Sequence, residues 1–336
     1  MKLAVGYPVT PDEETLGLFV NAVEKHRDAI EEVYFALPGE ASGRAPAPAD
    51  SPIGDILPHL SSMGLRLDLL FNGNCYGPGA ASDALADHVR RTIDRARETC
   101  PVHIVTTTSP FVAEVLGRHA PDVERRASVN MRIGTIPAME MQKDLFESFC
   151  FQRDYNRDLE QVQRVKTWCV RNDKNLCLLA NSGCLAFCSG QTFHDNLVSH
   201  EKEMPSGSMN GSADFLTCRR FLKDPDHRAA LLSATWIRPE DVEHYDGLAD
   251  TMKLATRMHN SPDRVIRAYA NRRHRGNLLD LLEPGHGDRV PGLWLDNSSF
   301  PPDWFQTTTT CRRQCETCSY CDSVFNKIKR STTLTR

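Results

Sequence analysis

Short apolar segments alternate with longer segments of helical periodicity along most of this chain. Eight short segments are candidate strands: 2–7, 32–37, 65–71, 102–107, 127–133, 148–153, 176–181 and 251–255. Between them, apolar residues recur every three or four positions in five candidate helices: 13–25, 82–98, 110–118, 138–145 and 159–170. This alternation predicts an α/β fold with a parallel sheet, and eight strands is the number in a closed (β/α)8 barrel of the TIM type.

Polar residues follow several of the candidate strands, where a barrel of this type collects its reactive groups. They are residues 72–75, Asn130, Arg132, residues 153–155, residues 181–184 and Arg257. A doubly wound sheet is the alternative fold, but the chain contains neither a GxGxxG sequence nor a Walker sequence to support it. We therefore expect the functional site at the C-terminal face of a barrel.

Two segments interrupt the alternation, and a third differs from it in composition. Residues 39–58, rich in Ala, Pro, Ser and Gly, are predicted to form a loop or a partly mobile lid. Residues 204–213 are predicted to form a flexible connection. From residue 285 onward the chain is rich in Pro, Trp and Cys, which predicts a barrel domain over residues 1–284 and a cysteine-rich extension over residues 285–336.

Composition argues against several classes of protein. The 336 residues are 40% apolar with a formal net charge of -4, so we expect a sizeable core and no general nucleic-acid binding face. No segment approaches the roughly 18 apolar residues of a membrane helix, and the first apolar stretch is too short for a secretory signal. We therefore expect a cytoplasmic protein without membrane contact. In that reducing compartment, clustered cysteines are better explained as metal ligands than as disulfides, whereas the isolated Cys100, Cys150 and Cys169 are expected to be buried or incidental.

Four cysteines near the end of the chain have three, two and two residues between them: Cys311, Cys315, Cys318 and Cys321. One short peptide with this spacing can bring four thiolates onto a common metal. Tetrahedral zinc and a cubane iron–sulfur cluster both accept four thiolates, but a single dense run is more typical of ferredoxin-like ligation than of zinc ribbons. We therefore predict a 4Fe–4S cluster here, with zinc as the alternative.

A second group of cysteines lies in the middle of the chain. Cys184 and Cys188 follow the seventh candidate strand, and Cys218 lies beyond the flexible connection. The fourth ligand of a metal held by these three is either Cys75, at the end of the third strand, or Cys177. A straight strand would put Cys177 roughly 23 Å from Cys184, so Cys75 fits barrel geometry better. The chain is thus predicted to hold one or two clusters.

Histidines after the second cysteine group are candidates for proton transfer. His194 is the predicted general acid or base, and His200 and Glu201 are alternatives near the same strand ends. A histidine in a loop is more often a surface or capping group, which is the competing interpretation. No GxSxG or HExxH sequence is present, so hydrolysis has no obvious machinery.

Arginines at two strand ends are candidates for binding an anionic substrate. Arg153, with Asp154 beside it, and Arg132 complete the predicted catalytic set, because the arginine fork matches a carboxylate or a phosphate bidentately. The competing interpretation is an ion-pair ladder formed by Arg153, Asp154, Arg157 and Asp158 along one element.

Several parts of the sequence together resemble the collagenase-like peptidase family, peptidase family U32. They are Asn-Gly-Asn-Cys-Tyr-Gly at 72–77, Ser-Val-Asn-Met-Arg at 128–132, Asn-Ser-Gly-Cys-Leu-Ala-Phe-Cys at 181–188 with the histidines after it, Trp-Ile-Arg-Pro-Glu-Asp at 236–241, and the terminal cysteine run. The resemblance extends from about residue 65 to residue 325. Its cysteine-bearing motifs are the specific part, since the barrel pattern is common to many families.

The resemblance implies iron–sulfur chemistry. Better understood members of the family act in oxygen-independent hydroxylation of ubiquinone precursors, transfer RNA or ribosomal RNA, with prephenate implicated as the oxygen source. By resemblance, Cys184, Cys188 and Cys218 are cluster ligands, and Arg153-Asp154 matches an Arg-Glu step of the family, with an aspartate in place of the glutamate. The RNA-modifying members differ in cysteine spacing and carry extra domains, so the substrate stays open.

We therefore predict an iron–sulfur-dependent redox enzyme that hydroxylates a small molecule or an RNA base, with prephenate as an expected oxygen donor. A metal- or thiol-dependent peptidase is the first alternative. The second is a non-catalytic iron–sulfur subunit that pairs with another barrel protein.

Overall fold

The structure is a computed structural model that describes residues 1–9, 12–40, 42–43, 48–201, 216–287 and 290–331. Eight strands close into a barrel in chain order, and each strand runs parallel to both of its neighbours. The predicted (β/α)8 barrel is therefore confirmed. The strands are β1 (Lys2–Gly6), β2 (Ile30–Phe35), β3 (Arg66–Phe71), β4 (Ile104–Thr107), β5 (Glu124–Ala127), β6 (Ser148–Cys150), β7 (Asn175–Leu179) and β8 (Thr251–Leu254).

Helices follow the strands and pack their apolar faces on the barrel. Helix α1 (Glu13–Lys25) begins where the Asp12 carboxylate accepts the Thr15 N–H, and it buries Phe19 and Val23. Ser82 and Ser109 cap the third and fourth helices in the same way. Within the described residues the helices are α1 (Glu13–Lys25), α2 (Ile53–Ser62), α3 (Asp83–Thr99), α4 (Pro110–His119), α5 (Ile136–Glu140), α6 (Leu159–Arg171), α7 (Gln191–Ser199), α8 (Thr217–Lys223), α9 (Ala230–Ser233), α10 (Pro262–Ala270), α11 (Trp304–Thr309) and α12 (Tyr320–Ile328).

Three boundaries predicted from the pattern were wrong. The fifth strand is Glu124–Ala127 rather than 127–133, because its Arg126 side chain points into the barrel and binds buried Glu32, so the strand does not read as apolar. The helix predicted at 138–145 is the shorter α5, Ile136–Glu140. The predicted loop at 39–58 includes the start of α2 at Ile53. The predicted flexible connection at 204–213 lies outside the described residues.

The barrel interior is charged as well as apolar. Arg126 donates two hydrogen bonds to the Glu32 carboxylate, at 2.6 and 2.8 Å. Asp68 accepts from Thr106 at 2.8 Å, and the Lys253 ammonium lies 3.4 Å from the same carboxylate. These side chains are buried, and each charge has a partner of opposite sign, as a low-dielectric interior requires.

The C-terminal segment packs on the barrel through a second apolar core. Trp304, Val324 and Ile328 lie there against Leu222, Leu232 and Trp236 from earlier in the chain. A two-stranded antiparallel sheet, β9 (Leu293–Leu295) with β10 (Lys329–Ser331), closes this region. The predicted division at residue 284 stays a prediction. No helix within the described residues is long and apolar enough to cross a membrane.

Candidate functional site

A cavity opens at the C-terminal ends of the strands, the face where the sequence predicts the site. Its polar lining is formed by Tyr34, Asn72, Asn130, Arg153, Lys253, Arg257 and Glu283. Three of these side chains are cations and one is an acid. The barrel mouth is therefore suited to bind an anion.

Arg153 is the cation whose placement best matches this role. Its side chain is 7% exposed, and it forms no ion pair within the described ranges. Arg257 donates to Ser42 Oγ at 3.2 Å, and Lys253 is shared between Asp68 and the face of the Tyr34 ring, 3.8 Å from its centroid. A buried guanidinium without a carboxylate partner costs free energy unless a ligand compensates its charge.

Lys253 connects the mouth to the charged interior beneath it. Burial disfavours its charged form, but the Asp68 carboxylate raises the pKa of Lys253, so the ammonium stays protonated. Cys150 and Cys177 are register partners on β6 and β7 and lie in the same interior. Their thiol–thiol hydrogen bond lowers the pKa of Cys150. Cys177, the alternative fourth ligand, therefore lies on β7 inside the barrel with Cys150 beside it, and its role as a ligand stays a prediction.

The loop that carries Cys184 and Cys188 is fixed by contacts from two sides. A Cβ at Gly183 would lie 2.1 Å from the Pro284 carbonyl oxygen, so only glycine allows this approach of the two segments. On the other side, the Asp154 carboxylate accepts the Phe187 N–H at 2.6 Å. Asp154 is 3% exposed and also accepts from Gln152 Nε2 at 3.0 Å. The structure thus places Asp154 as a support of the cysteine loop.

Three of the four predicted central ligands lie in one region. Burial raises the pKa of the Cys188 thiol, and the charge of a Cys184 thiolate would raise it further, so these two thiols are within electrostatic range of each other. Gly190, two residues after Cys188, lies against Thr217 at the start of α8, which brings Cys218 to the same side of the loop. The positive charges of Arg153 and Arg132 act in the opposite direction to burial and favour the Cys188 thiolate.

Cys75 is placed at the other end of α7. Ser199 Oγ, at the last residue of that helix, accepts the N–H groups of Asn74 at 2.8 Å and Cys75 at 3.3 Å. The helix begins at Gln191, three residues after Cys188. Cys75 as the fourth ligand stays a prediction.

The four terminal cysteines share one cavity. Cys311, Cys315, Cys318 and Cys321 all line a space of about 610 Å³ beside α8 and α9. The Arg313 N–H donates to Cys311 Sγ at 3.2 Å. Burial raises the pKa of Cys321 to about 11, so without a metal its thiol is protonated at neutral pH.

The terminal cysteines lie next to the central ones. The Arg313 guanidinium, two residues after Cys311, sits 4.9 Å from the Phe187 ring centroid and 5.2 Å from that of Tyr155. Phe187 belongs to the loop between Cys184 and Cys188. The two groups predicted to bind metal are therefore neighbours, joined by a cation–aromatic contact.

The donor set fits a metal held by thiolates, although the side chains are not closed around a centre. Four thiols around one cavity, one of them accepting a backbone N–H, are what a tetrathiolate zinc or a cubane cluster requires. Within the described ranges, no three His, Cys, Asp or Glu side chains are arranged at metal-ligand spacing. Binding would therefore require local movement of the terminal peptide.

The remaining predicted residues lie around the cysteine loop rather than inside the mouth. Arg132, in a left-handed conformation, donates to Thr192 Oγ1 at 3.0 Å and lies 3.6 Å from the Asp195 carboxylate, which ties it to α7. His194 is half-buried on the same helix and does not line the mouth cavity. The predicted ion-pair ladder does not form among Arg153, Asp154, Arg157 and Asp158, because Arg157 is buried against tryptophans and Asp158 caps α6.

Sequence reasoning missed Tyr34, Lys253 and Glu283 as lining residues. A lysine within the apolar strand β8 was an available signal, because Lys253 alternates with outward-facing Met252 and must therefore point into the barrel. Glu283 had no local signal. It reaches the mouth because its backbone pairs with the loop at Asn181, whose carbonyl oxygen accepts the Glu283 N–H at 3.0 Å.

Comparison with known proteins extends the fold assignment. No family model matches the chain. A protein of Methanocaldococcus jannaschii named "Uncharacterized protease MJ1657" is 23% identical over 336 residues, covering 94% of this chain and 96% of that protein. The solved structure of the U32 peptidase Mk0906 is 15% identical with a TM-score of 0.55, and the match covers 75% of this chain and 92% of the other. At these identities the second likeness shows a shared barrel fold.

Proposed function

We propose that this protein is a redox enzyme that binds iron through cysteine thiolates and an anionic reactant in the barrel mouth. The observation that carries the proposal is the position of Arg153. Arg153 lines the mouth cavity and forms no ion pair within the described ranges, and its positive charge opposes the burial that raises the pKa of Cys188. One buried cation thus lies at the proposed anion site and acts electrostatically on one thiol of the central group.

The proposed ligands follow the two cysteine groups. Cys184, Cys188 and Cys218 would hold one cluster, with Cys75 as the fourth ligand, and the four terminal cysteines would hold another. A bound 4Fe–4S cluster would supply or accept electrons one at a time. Zinc at the terminal cysteines is the alternative, since the same four thiolates suit it.

The chain's own residues would bind and orient the reactant. Arg153 and Arg257 would pair with carboxylate or phosphate oxygens, and Asn72 and Asn130 would donate hydrogen bonds at the same opening. Lys253, below them, adds a positive charge, because the Asp68 carboxylate keeps its amino group protonated. A dicarboxylate oxygen donor such as prephenate matches this excess of cations, and oxygen-independent hydroxylation of a small molecule or an RNA base is the reaction we propose.

His194 is proposed to move a proton near the cysteine loop. It lies on α7, one turn after Gly190, whose carbonyl oxygen accepts the His194 N–H at 3.0 Å. Because His194 does not line the mouth, a proton would reach the mouth through intervening water or after movement of α7.

A binding measurement tests the anion site separately from the metal. We expect prephenate to bind wild-type protein in calorimetry, and Arg153→Gln to weaken binding by at least tenfold, because one bidentate charged pair is lost. Arg264→Gln is the matched control, since Arg264 is a surface arginine paired with Asp280 at 2.9 Å. Equal affinity in wild type and Arg153→Gln would contradict the proposed role of Arg153.

A peptidase is the second candidate, because the similar proteins named above are a protease and a peptidase. The mouth lining formed by described residues includes no Ser, Cys or His, so a covalent nucleophile is not placed there. Hydrolysis would need a metal-bound water instead. Peptide cleavage by colourless, zinc-loaded protein that is abolished by a chelator would favour this candidate.

A further inference from the structure

Arg157 is a buried cation that lies outside both the mouth lining and the proposed metal ligands. Its side chain is 8% exposed, with Nε donating to the Trp236 carbonyl oxygen at 3.0 Å and Nη1 to that of Leu232 at 2.9 Å. Nη2 is buried and has no hydrogen-bond partner. The guanidinium lies 4.2 Å from the Trp236 ring centroid and 5.0 Å from that of Trp304.

No carboxylate forms an ion pair with this guanidinium within the described residues. Asp241 attracts it, but the Asp241 carboxylate is paired with Arg238 at 3.9 Å. The contacts of Arg157 are two neutral carbonyl oxygens and two indole faces, which compensate a full buried charge only in part. A buried, partly satisfied cation of this kind indicates that a negative charge belongs nearby.

The terminal cysteines are the place for that charge. The Trp304 ring that lies against the Arg157 guanidinium also stacks on the Tyr320 ring, with 6.2 Å between the two centroids. Tyr320 and the next residue, Cys321, both line the terminal cavity. Burial lowers the pKa of Arg157, and the charge of a Cys321 thiolate would act in the opposite direction and stabilise the guanidinium. A dipositive metal or cluster core held by four thiolates carries a net charge of about −2, whether it is zinc or an oxidised 4Fe–4S core.

We infer that Arg157 is the buried counter-cation of a metal–tetrathiolate centre formed by Cys311, Cys315, Cys318 and Cys321. The inference rests on the proposed function in one respect, namely that the terminal cysteines bind metal. It adds a positioning residue outside the ligand set, and it applies to zinc as well as to iron. Loss of the positive charge should loosen the metal, and for an iron–sulfur centre it should favour the oxidised state, which is the less negative one.

The test compares full-length variants with the metal loaded under anaerobic conditions. Arg157→Gln removes the charge but keeps an amide donor for the carbonyl oxygens, and Arg157→Met removes both. Arg157→Lys keeps the charge. Arg238→Met is the matched control, because Arg238 lies over the Phe300 ring of the same aromatic cluster at 4.5 Å but has carboxylate partners.

Two readouts are independent of enzyme activity. The first is the rate of metal release from the terminal site to a chelator, measured in a Cys184→Ala background so that the central site is empty. The second, for an iron-loaded centre, is its midpoint potential in a reductive titration. We expect Arg157→Gln and Arg157→Met to release metal at least tenfold faster than wild type. We also expect both to lower the midpoint potential, by about 59 mV for each tenfold shift of the one-electron equilibrium toward the oxidised centre.

Each outcome decides the inference. Wild-type behaviour of Arg157→Lys and Arg238→Met, together with the two losses above, would support it. Unchanged release and potential in a folded, metal-loaded Arg157→Gln would overturn it while leaving the proposed metal site intact. A wild-type protein whose terminal cysteines bind neither iron nor zinc would overturn the metal site and the inference together. If either neutral variant fails to fold by circular dichroism, the other carries the comparison, and loss of folding in both metal-free forms would overturn the inference in favour of a structural role.

Discussion

Removing the Asp154 carboxylate should release the loop that carries the central cysteines. Asp154 accepts the Phe187 N–H at 2.6 Å, and it holds Phe187 in a left-handed backbone conformation with φ of 49°. A left-handed conformation costs a non-glycine residue roughly 1–2 kcal/mol. In Asp154→Ala that cost is no longer offset by the hydrogen bond, so the loop should open.

The size of the effect follows from the charged hydrogen bond. A bond to a charged group contributes about 1.5–3 kcal/mol, and Asp154 is buried, so solvent does not replace it well. At about 1.4 kcal/mol for each factor of ten, the open population of the loop should rise by roughly ten- to a hundredfold. Cys188, which is half-buried in the closed loop, should become accessible in proportion.

Alkylation of the metal-free protein measures this opening directly. Rates of iodoacetamide modification at Cys184 and Cys188, resolved by peptide mass spectrometry, should rise ten- to a hundredfold in Asp154→Ala. Asp154→Asn is the matched control, because its amide oxygen can still accept the Phe187 N–H. Exposed Cys318 serves as the internal reference. Equal rates at Cys188 in wild type and Asp154→Ala would refute the supporting role of Asp154.

Other expected outcomes concern the barrel and its loops. Arg126→Met leaves Glu32 buried without its bidentate partner, so the free energy of unfolding measured in urea should fall by about 3–5 kcal/mol. The Glu32→Gln, Arg126→Met double variant, which no longer carries the buried charge, should recover much of that loss. Burial lowers the pKa of His259, so as the pH falls below about 6.5 the unfolded state takes up a proton that the folded state does not. Thermal melts should therefore show that wild-type stability declines below that pH, and that it declines less in His259→Gln. Gly183→Ala should destabilise the fold, because the new Cβ would clash with the Pro284 carbonyl oxygen. Gly17 lies in a helix with open space around it, so Gly17→Ala should raise the free energy of unfolding by about 0.5–1 kcal/mol in the same assay.

The barrel could be predicted from the sequence because its strands and helices have different apolar periods. Seven of the eight candidate strands overlap well with those of the structure, and the helix 13–25 has the bounds of α1. The fifth strand was displaced because Arg126 is inside the barrel through a long-range pair with Glu32. A charge buried by a partner 94 residues away leaves no local mark in the sequence.

The candidate site could be predicted only in part, for a similar reason. Polar residues at strand ends identified Arg153, Asn72 and Asn130, because the C-terminal face of a barrel is shared by all its strands. The nearness of the two cysteine groups was not predictable, since it depends on a contact between Arg313 and Phe187. The choice between Cys177 and Cys75 as the fourth ligand could not be made from the sequence, because the spacing of residues along the chain does not give the path of the backbone between them.

Iron held by cysteine thiolates of this chain is measured by the iron and acid-labile sulfide content of protein purified without oxygen, together with its visible absorption spectrum. We expect a brown protein with about four irons and four sulfides for each cluster, and loss of colour from the terminal site in a Cys315→Ala, Cys318→Ala variant. Colourless protein without iron or sulfide, after anaerobic reconstitution with both, would contradict iron binding by these thiolates.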